Sequence, residues 1–129
     1  MGAKVIVVHG ETIVEPVKKG TNRMALLSDI DILAHPGFIT LEEARLAKKR
    51  GIALEISGRK GHSFTNGYVA QIAKKAGASL VFDTDSHAPS DLMGDAMARS
   101  VILGCGLSLK DAARMQKNSK KIMEKALKR

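Results

Sequence analysis

The amino-acid sequence predicts an α/β domain built from parallel βα units. Four short apolar runs, Lys4 to Val8, Ile30 to Ala34, Ile52 to Ile56 and Ser79 to Phe82, recur along the chain. Between them lie longer segments bounded by helix-starting and helix-stopping residues. The first two runs each stop at a histidine followed by a turn, so one unit repeats. Strands alternating with helices imply parallel βαβ units with right-handed crossovers.

Taken in order, Lys4 to Val8 reads Lys-Val-Ile-Val-Val, a β-branched run without polar alternation, as expected of a strand covered on both faces. It ends at His9-Gly10-Glu11. After a loop through Pro16 and Gly20, Thr21 is expected to cap a short helix from Asn22 to Leu27. The second strand, Ile30 to Ala34, ends in His35-Pro36-Gly37. Thr40 and Glu43 have the spacing of a capping box, which starts a helix from Leu41 to Arg50, and Gly51 closes it in the left-handed conformation. The third strand, Ile52 to Ile56, carries Glu55 and runs into Ser57-Gly58-Arg59-Lys60-Gly61-His62. Thr65 or Asn66 then caps a helix to Ala76 that Gly77 ends. The fourth strand leads from Ser79 to Phe82 into Asp83-Thr84-Asp85-Ser86-His87. Two helices follow, about Asp91 to Leu103 and Ser108 to Lys128. In the last, Ala112, Met115, Ile122 and Leu127 are expected to lie inward while the lysines face water.

A chain of 129 residues suits one domain, large enough for a real core but small for a complete enzyme barrel. With 44% hydrophobic and 26% charged residues it falls in the ordinary soluble class. No apolar run reaches membrane-spanning length and no signal-peptide pattern opens the chain, so a cytoplasmic location is expected. A single cysteine, Cys105, excludes an internal disulfide and reads as a buried structural thiol. The formal charge of +8 is uneven: Lys110 to Arg129 holds eight Lys or Arg and two acids, leaving about +2 elsewhere. One terminal helix thus carries most of the basicity, and it reads first as a solvated face. Three Phe, one Tyr and no Trp leave few platforms for stacking unpaired bases.

Parallel βα units place all strand C-termini on one rim, where ligand sites gather. His9, His35, Asp85 and His87 all fall at strand ends. In an extended segment Asp85 and His87 share a face, and an oxygen beside an imidazole suits a divalent metal. The alternative is a turn-capping Asp85 and a surface His87. Arg59 and Lys60 match the oxygens of a substrate phosphate or are solvated loop charges. Glu55 is either a rim acid or the partner of a nearby cation. Glu11 either orients His9 or is a loop carboxylate.

The strand-end sequences VVHGE, LAHPG, LEISGRKGHS and FDTDSH resemble, in order, the later part of the polymerase and histidinol phosphatase (PHP) family of metal-dependent phosphoesterases. The resemblance implies a distorted (β/α)7 barrel with up to three divalent ions, zinc, manganese or iron, at its C-terminal rim. It implies His9 and His35 as ligands of one metal, Asp85 of a second and His87 of a third. Arg59 and Glu55 are then the candidate catalytic groups, and Arg59, Lys60 and His62 the candidate substrate contacts. The family's opening His-x-His motif has no counterpart here. Residues 1–129 are therefore expected to form a single partial domain of about four strands, the C-terminal part of the barrel, with its edges covered by a second copy or by a missing N-terminal half. The implied activity is hydrolysis of a small phosphorylated substrate, histidinol phosphate being the family example. The runner-up is a catalytically inactive half-domain acting as an assembly or RNA-associated subunit, resembling a ribonuclease P protein, with nucleic acid as its partner. No membrane partner is expected.

Overall fold

The structure is a computed structural model and describes residues 2–129. Its four strands, β1 (Val7–His9), β2 (Ile32–Ala34), β3 (Ala53–Ser57) and β4 (Leu80–Asp83), form one sheet in sequence order. Every pairing is parallel, with Val8 opposite Leu33, Leu33 opposite Leu54 and Leu54 opposite Leu80. Sequential parallel strands with right-handed crossovers require their connecting helices to lie on one side. The main core accordingly joins Leu33, Leu54, Ile56 and Leu80 to residues of α1 (Thr21–Leu27), α2 (Leu41–Arg50) and α3 (Asn66–Ala76). Leu26, Ala44, Ala47, Val69 and Ala73 supply the helix side. Each fully buried Leu or Ile contributes about 1.5–3 kcal/mol relative to exposure. Alternation along the strands sends Ile32, Ala53 and Val81 to the opposite face.

That second face is not left bare. The chain continues through α4 (Asp95–Gly104) into α5 (Leu109–Leu127), which wraps the β4 edge. Met115 of α5 enters the main core, while Ile122 packs on the opposite-face cluster. Between them the Asn118 Nδ2 donates to the Leu80 carbonyl at 2.8 Å. At the end of the helix Arg129 makes two bonds to the Asp31 carboxylate, 2.9 and 3.0 Å. At the β4 edge α5 therefore packs on the sheet and bonds one strand carbonyl, while β4 remains an edge strand of the sheet.

At the other edge the strand begins at Val7, and Val7 is 49% exposed. The reading of Lys4 to Val8 as a strand covered on both faces is corrected. A β-branched run looks the same at an edge as in the middle; only the presence of a neighbour decides.

The local signals divide in an instructive way. The Thr40–Glu43 capping box forms, with bonds of 3.1 and 2.9 Å, and Gly51 and Gly77 close α2 and α3 in the left-handed region. Thr21 does not cap α1. Gly20 occupies that position and the Thr21 hydroxyl donates to the Lys18 carbonyl instead. Neither Thr65 nor Asn66 caps α3 by its side chain. A 3-10 turn, His62–Thr65, precedes the helix, and the Asn66 amide bridges the Ser57 N–H and carbonyl at 2.9 and 2.8 Å. The segment from Asp91 splits: Pro89–Asp91 is a separate 3-10 turn and α4 starts at Asp95. Leu127 is 83% exposed and Ala126 takes the inward place, because i+4 from Ile122 returns to the same helix face and i+5 does not. No helix among the described residues is long and apolar enough to cross a membrane.

Candidate metal centre

The parallel sheet brings three of the sequence's candidate ligands together. His9 is the last residue of β1, His35 follows β2 directly, and Asp85 stands two residues beyond β4. One ligand atom from each lies within 4.8 Å of the others. His35 is buried, Asp85 half-buried and His9 exposed, so the cluster opens to solvent on the β1 side. His35 Nε2 sits 3.1 Å from His9 Nδ1.

Glu55 fixes the inner imidazole. Its Oε2 accepts from the His35 backbone N–H at 2.7 Å and lies 2.9 Å from Nδ1. A carboxylate can only accept, so Nδ1 carries a proton, and in the neutral ring Nε2 keeps a lone pair aimed at His9. One shared hydrogen then joins the two imidazoles, and a cation can take its place. Two nitrogens and a carboxylate oxygen, with one imidazole oriented by a second carboxylate, fit a divalent transition metal such as zinc, manganese or iron.

The backbone is strained at this place. His35 (φ 31°) and Asp85 (φ 46°) are the non-glycine residues with left-handed φ among those described. Such conformations cost about 1–3 kcal/mol each and persist where the surroundings over-determine them. The Glu55 bonds hold His35, and Arg59 Nη1 holds Asp85 through Oδ2. Burial works to raise the Asp85 pKa, but the Arg59 hydrogen bond and charge outweigh it and keep the carboxyl below its usual range.

Two rim loops are locked to each other beneath the cluster. Asn22 Oδ1 accepts from the Glu11 N–H at 2.9 Å and its Nδ2 donates to the Pro36 carbonyl at 2.8 Å. The approach is so close that a Cβ on Gly37 would lie 1.9 Å from the Glu11 carbonyl oxygen, and one on Gly10 would lie 2.6 Å from the Pro36 Cα. This explains glycine after each histidine, in VVHGE and in HPG. Glu11 accepts from the backbone N–H groups of Gly20 and Asn22, so it satisfies the start of α1.

Of the remaining candidates, His62 forms a wall. Its ring stacks on His35 at 3.9 Å between centroids, with Nδ1 2.7 Å from the Thr12 hydroxyl and Nε2 3.4 Å from Glu15. Burial, then the neighbouring His35, lowers its pKa and favours the neutral ring. Lys60 is exposed on the same loop as Arg59. His87 is exposed and not brought to the other three: Nδ1 lies 2.7 Å from the Asp85 carbonyl and its backbone N–H bonds Asp91. The expectation that Asp85 and His87 share a face by strand alternation is corrected, since the left-handed turn at Asp85 ends the extended geometry.

Asp83 was not among the sequence candidates. Register places Ser57 opposite Asp83 and Glu55 opposite Val81, so Asp83 shares the Glu55 face of the sheet. Burial, with the Glu55 charge adding to it, pushes its pKa up to about 6. The available signal was strand parity, hidden because β4 extends to Asp83 and not to Phe82.

Comparison with known proteins gives sequence relatives and a structural neighbour. No family model matches the chain. An uncharacterized protein of Methanocaldococcus jannaschii is 53% identical over 112 residues, covering 86% of this chain and 51% of that protein. A probable phosphatase of Shewanella sp. strain ANA-3 is 35% identical over 108 residues, 71% of this chain and 43% of that protein. A probable phosphatase of Shewanella oneidensis is 33% identical over 107 residues, 74% and 39% of the two chains. The chain therefore spans about half, or less, of the length of these relatives. In fold, it superposes on a chain of a cryo-EM structure of archaeal ribonuclease P with mature tRNA, with a TM-score of 0.73 and 21% identity, over 95% of this chain and 58% of that one.

Proposed function

We propose that this chain carries part of the centre of a metal-dependent phosphoester hydrolase acting on small phosphorylated substrates, and that its sheet is the C-terminal part of a (β/α)7 barrel. The single observation that carries the reading is the convergence of His9, His35 and Asp85, two of them in left-handed conformations, at the rim of a parallel sheet. Similarity to proteins named as probable phosphatases supports the same class.

His9, His35 and Asp85 would hold the ion, with His87 available for a further one only if its loop moves. A bound divalent ion supplies Lewis-acid polarisation of a phosphoryl oxygen and acidification of water. Glu55 keeps His35 in the tautomer that presents Nε2, and the buried His62 ring stacks on its face. Arg59, one-third exposed beside Asp85, offers guanidinium donors to phosphate oxygens at the mouth of the centre, with Lys60 adding charge. The open β1 edge is where a second copy or an N-terminal half would add strands and further ligands.

The test is phosphate release from a panel of phosphomonoesters, histidinol phosphate included, with manganese or zinc, by the full chain and by His35→Ala and Asp85→Ala. Metal-dependent turnover lost in both variants is expected; equal rates in all three proteins contradict the reading. Likeness to a chain from ribonuclease P favours a second reading, a non-catalytic RNA-associated subunit. Under that reading no phosphomonoester is turned over with any metal.

A further inference from the structure

The exposed face of α5 carries a predominantly basic stripe, interrupted by Glu124. Lys110, Arg114, Lys117, Lys121, Lys125 and Lys128 follow one another at intervals of four, three, four, four and three residues, the spacing that keeps side chains on one helix face. All six are exposed. Among the described residues, Lys125 is the one member of the stripe that meets a carboxylate, Asp31 at 3.5 Å. At 1.5 Å per residue the row runs roughly 27 Å along the molecule.

The stripe does not end at the helix. Arg114 lines the same cleft as Lys74 of α3 and the Asp111 carboxylate, which pairs with Lys74 at 3.2 Å. The Lys48 ammonium of α2 lies beside Gly77 at the end of α3. The last turns of α2 and α3 add Lys49, Arg50 and Lys75. Helix C-termini gather at the strand N-terminal end of such a sheet, so this basic surface lies at the end of the molecule away from the metal centre.

Two ordinary explanations fall short. Cations favour helix C-termini through the macrodipole, which accounts for Lys48, Lys49 and Lys74 but not for Lys110, Arg114 and Lys117 in the first half of α5. A merely solvated face gains from Glu–Lys pairs four apart, of which the stripe has one, Glu124 with Lys128. Lys110 with Arg114, Lys117 with Lys121, and Lys121 with Lys125 instead set like charges four apart, an arrangement that weakens a helix. A polyanion relieves that repulsion. Met115, Ile122 and Ala126 of α5 are committed to the sheet. The apolar residues the helix leaves exposed, Leu109, Met123 and Leu127, lie beside the basic row and not within it, so a lipid surface is the rival occupant that the vesicles below test. With so few aromatic residues the surface suits a phosphate backbone more than unstacked bases.

We propose that the α5 stripe, continued by the lysines ending α2 and α3, binds the phosphate backbone of double-stranded or structured nucleic acid without reading its sequence. The surface stands independently of any activity at the rim.

The experiment is fluorescence anisotropy of the full chain with a labelled RNA duplex of arbitrary sequence, a DNA duplex of equal length, and vesicles of phosphatidylserine in phosphatidylcholine. Both duplexes are expected to bind at low salt. For about six phosphate contacts, affinity should fall roughly 10³-fold between about 50 and 200 mM salt. Lys117→Gln with Lys121→Gln, both exposed, should weaken binding at least tenfold and lower the salt slope by about two. Lys18→Gln with Lys19→Gln removes the same net charge from a distant loop and should change affinity less than threefold. The proposal is overturned if neither duplex binds at low salt, if the two double variants lose affinity equally, or if the vesicles bind more tightly than the duplexes. Phosphate release in the separate phosphatase assay is not expected to change in either double variant.

Discussion

Glu55 grips His35 at two atoms: one carboxylate oxygen accepts from both its backbone N–H, at 2.7 Å, and its ring Nδ1, at 2.9 Å. Main-chain position and tautomer of the same residue are therefore set by one side chain. Both groups are almost fully buried, so no water competes for the pair. Glu55→Gln keeps the volume but removes the charge and one acceptor site. Metal affinity should fall about 10–100-fold, the usual cost of losing a carboxylate behind a metal-binding histidine. Competition titration with a chromophoric chelator measures it, and unchanged affinity would contradict the assigned role.

Asn22 joins the two loops that carry His9 and His35. Asn22→Ala leaves the Glu11 N–H and the buried Pro36 carbonyl without their partners. Each orphaned group costs about 1–3 kcal/mol, so a loss of roughly 2–4 kcal/mol is expected. Urea denaturation gives the stability and the same chelator competition gives the metal affinity. Both should drop; a stable variant with intact affinity would show that the loops hold without the amide.

Asp83 makes metal-free stability depend on pH. Its folded pKa of about 6 lies above the ordinary 3.8, so between those values the folded state binds the extra proton. The Asp83 contribution to stability should then be fully present below about pH 4, decline as pH rises from about 4 to about 6, and be absent above that. The carboxyls held low, Asp31, Asp85 and Asp111, act in the opposite direction. The fall is on the order of 2–3 kcal/mol for this group. The stability of Asp83→Asn relative to the native chain should therefore rise between about pH 4 and about pH 6, leaving the variant the more stable protein at neutral pH. Unfolding at a series of pH values with a chelator present checks the sign, which is opposite to that of an ion-paired aspartate.

Gly37→Ala tests the close approach of the rim loops. The residue has φ of 60° and no room for a methyl group beside the Glu11 carbonyl. Strain plus steric displacement should cost about 2–4 kcal/mol in thermal or chemical unfolding. Gly51→Ala, equally left-handed but with open space around its Cβ, should cost only about 1 kcal/mol, which separates strain from collision.

What could be read from the chain alone was whatever depends on neighbours in sequence. The Thr40–Glu43 box and the Gly51 and Gly77 stops are local chemistry, and they formed at the expected places. The order of strands and helices followed from the alternating runs, and strand ends of a parallel sheet share a rim whatever their sequence separation. Partners chosen in three dimensions were not legible. Glu55 was an acid on a strand until register set it beside His35, and nothing near Asp31 in sequence points to Arg129. His87 was paired with Asp85 by strand parity, a rule that holds only while the backbone stays extended; the left-handed turn at Asp85 breaks it. The basicity of α5 was visible as composition, but its significance depended on which face the sheet consumed.

The most direct measurement is calorimetric titration of the chelator-stripped chain with zinc, repeated with cobalt for its absorption spectrum. The account predicts one saturable site, cobalt bands of nitrogen and oxygen ligation, and loss of both in His35→Ala and Asp85→Ala variants that remain folded. Zinc binding of the same strength in either variant, or none in the native chain, would contradict it.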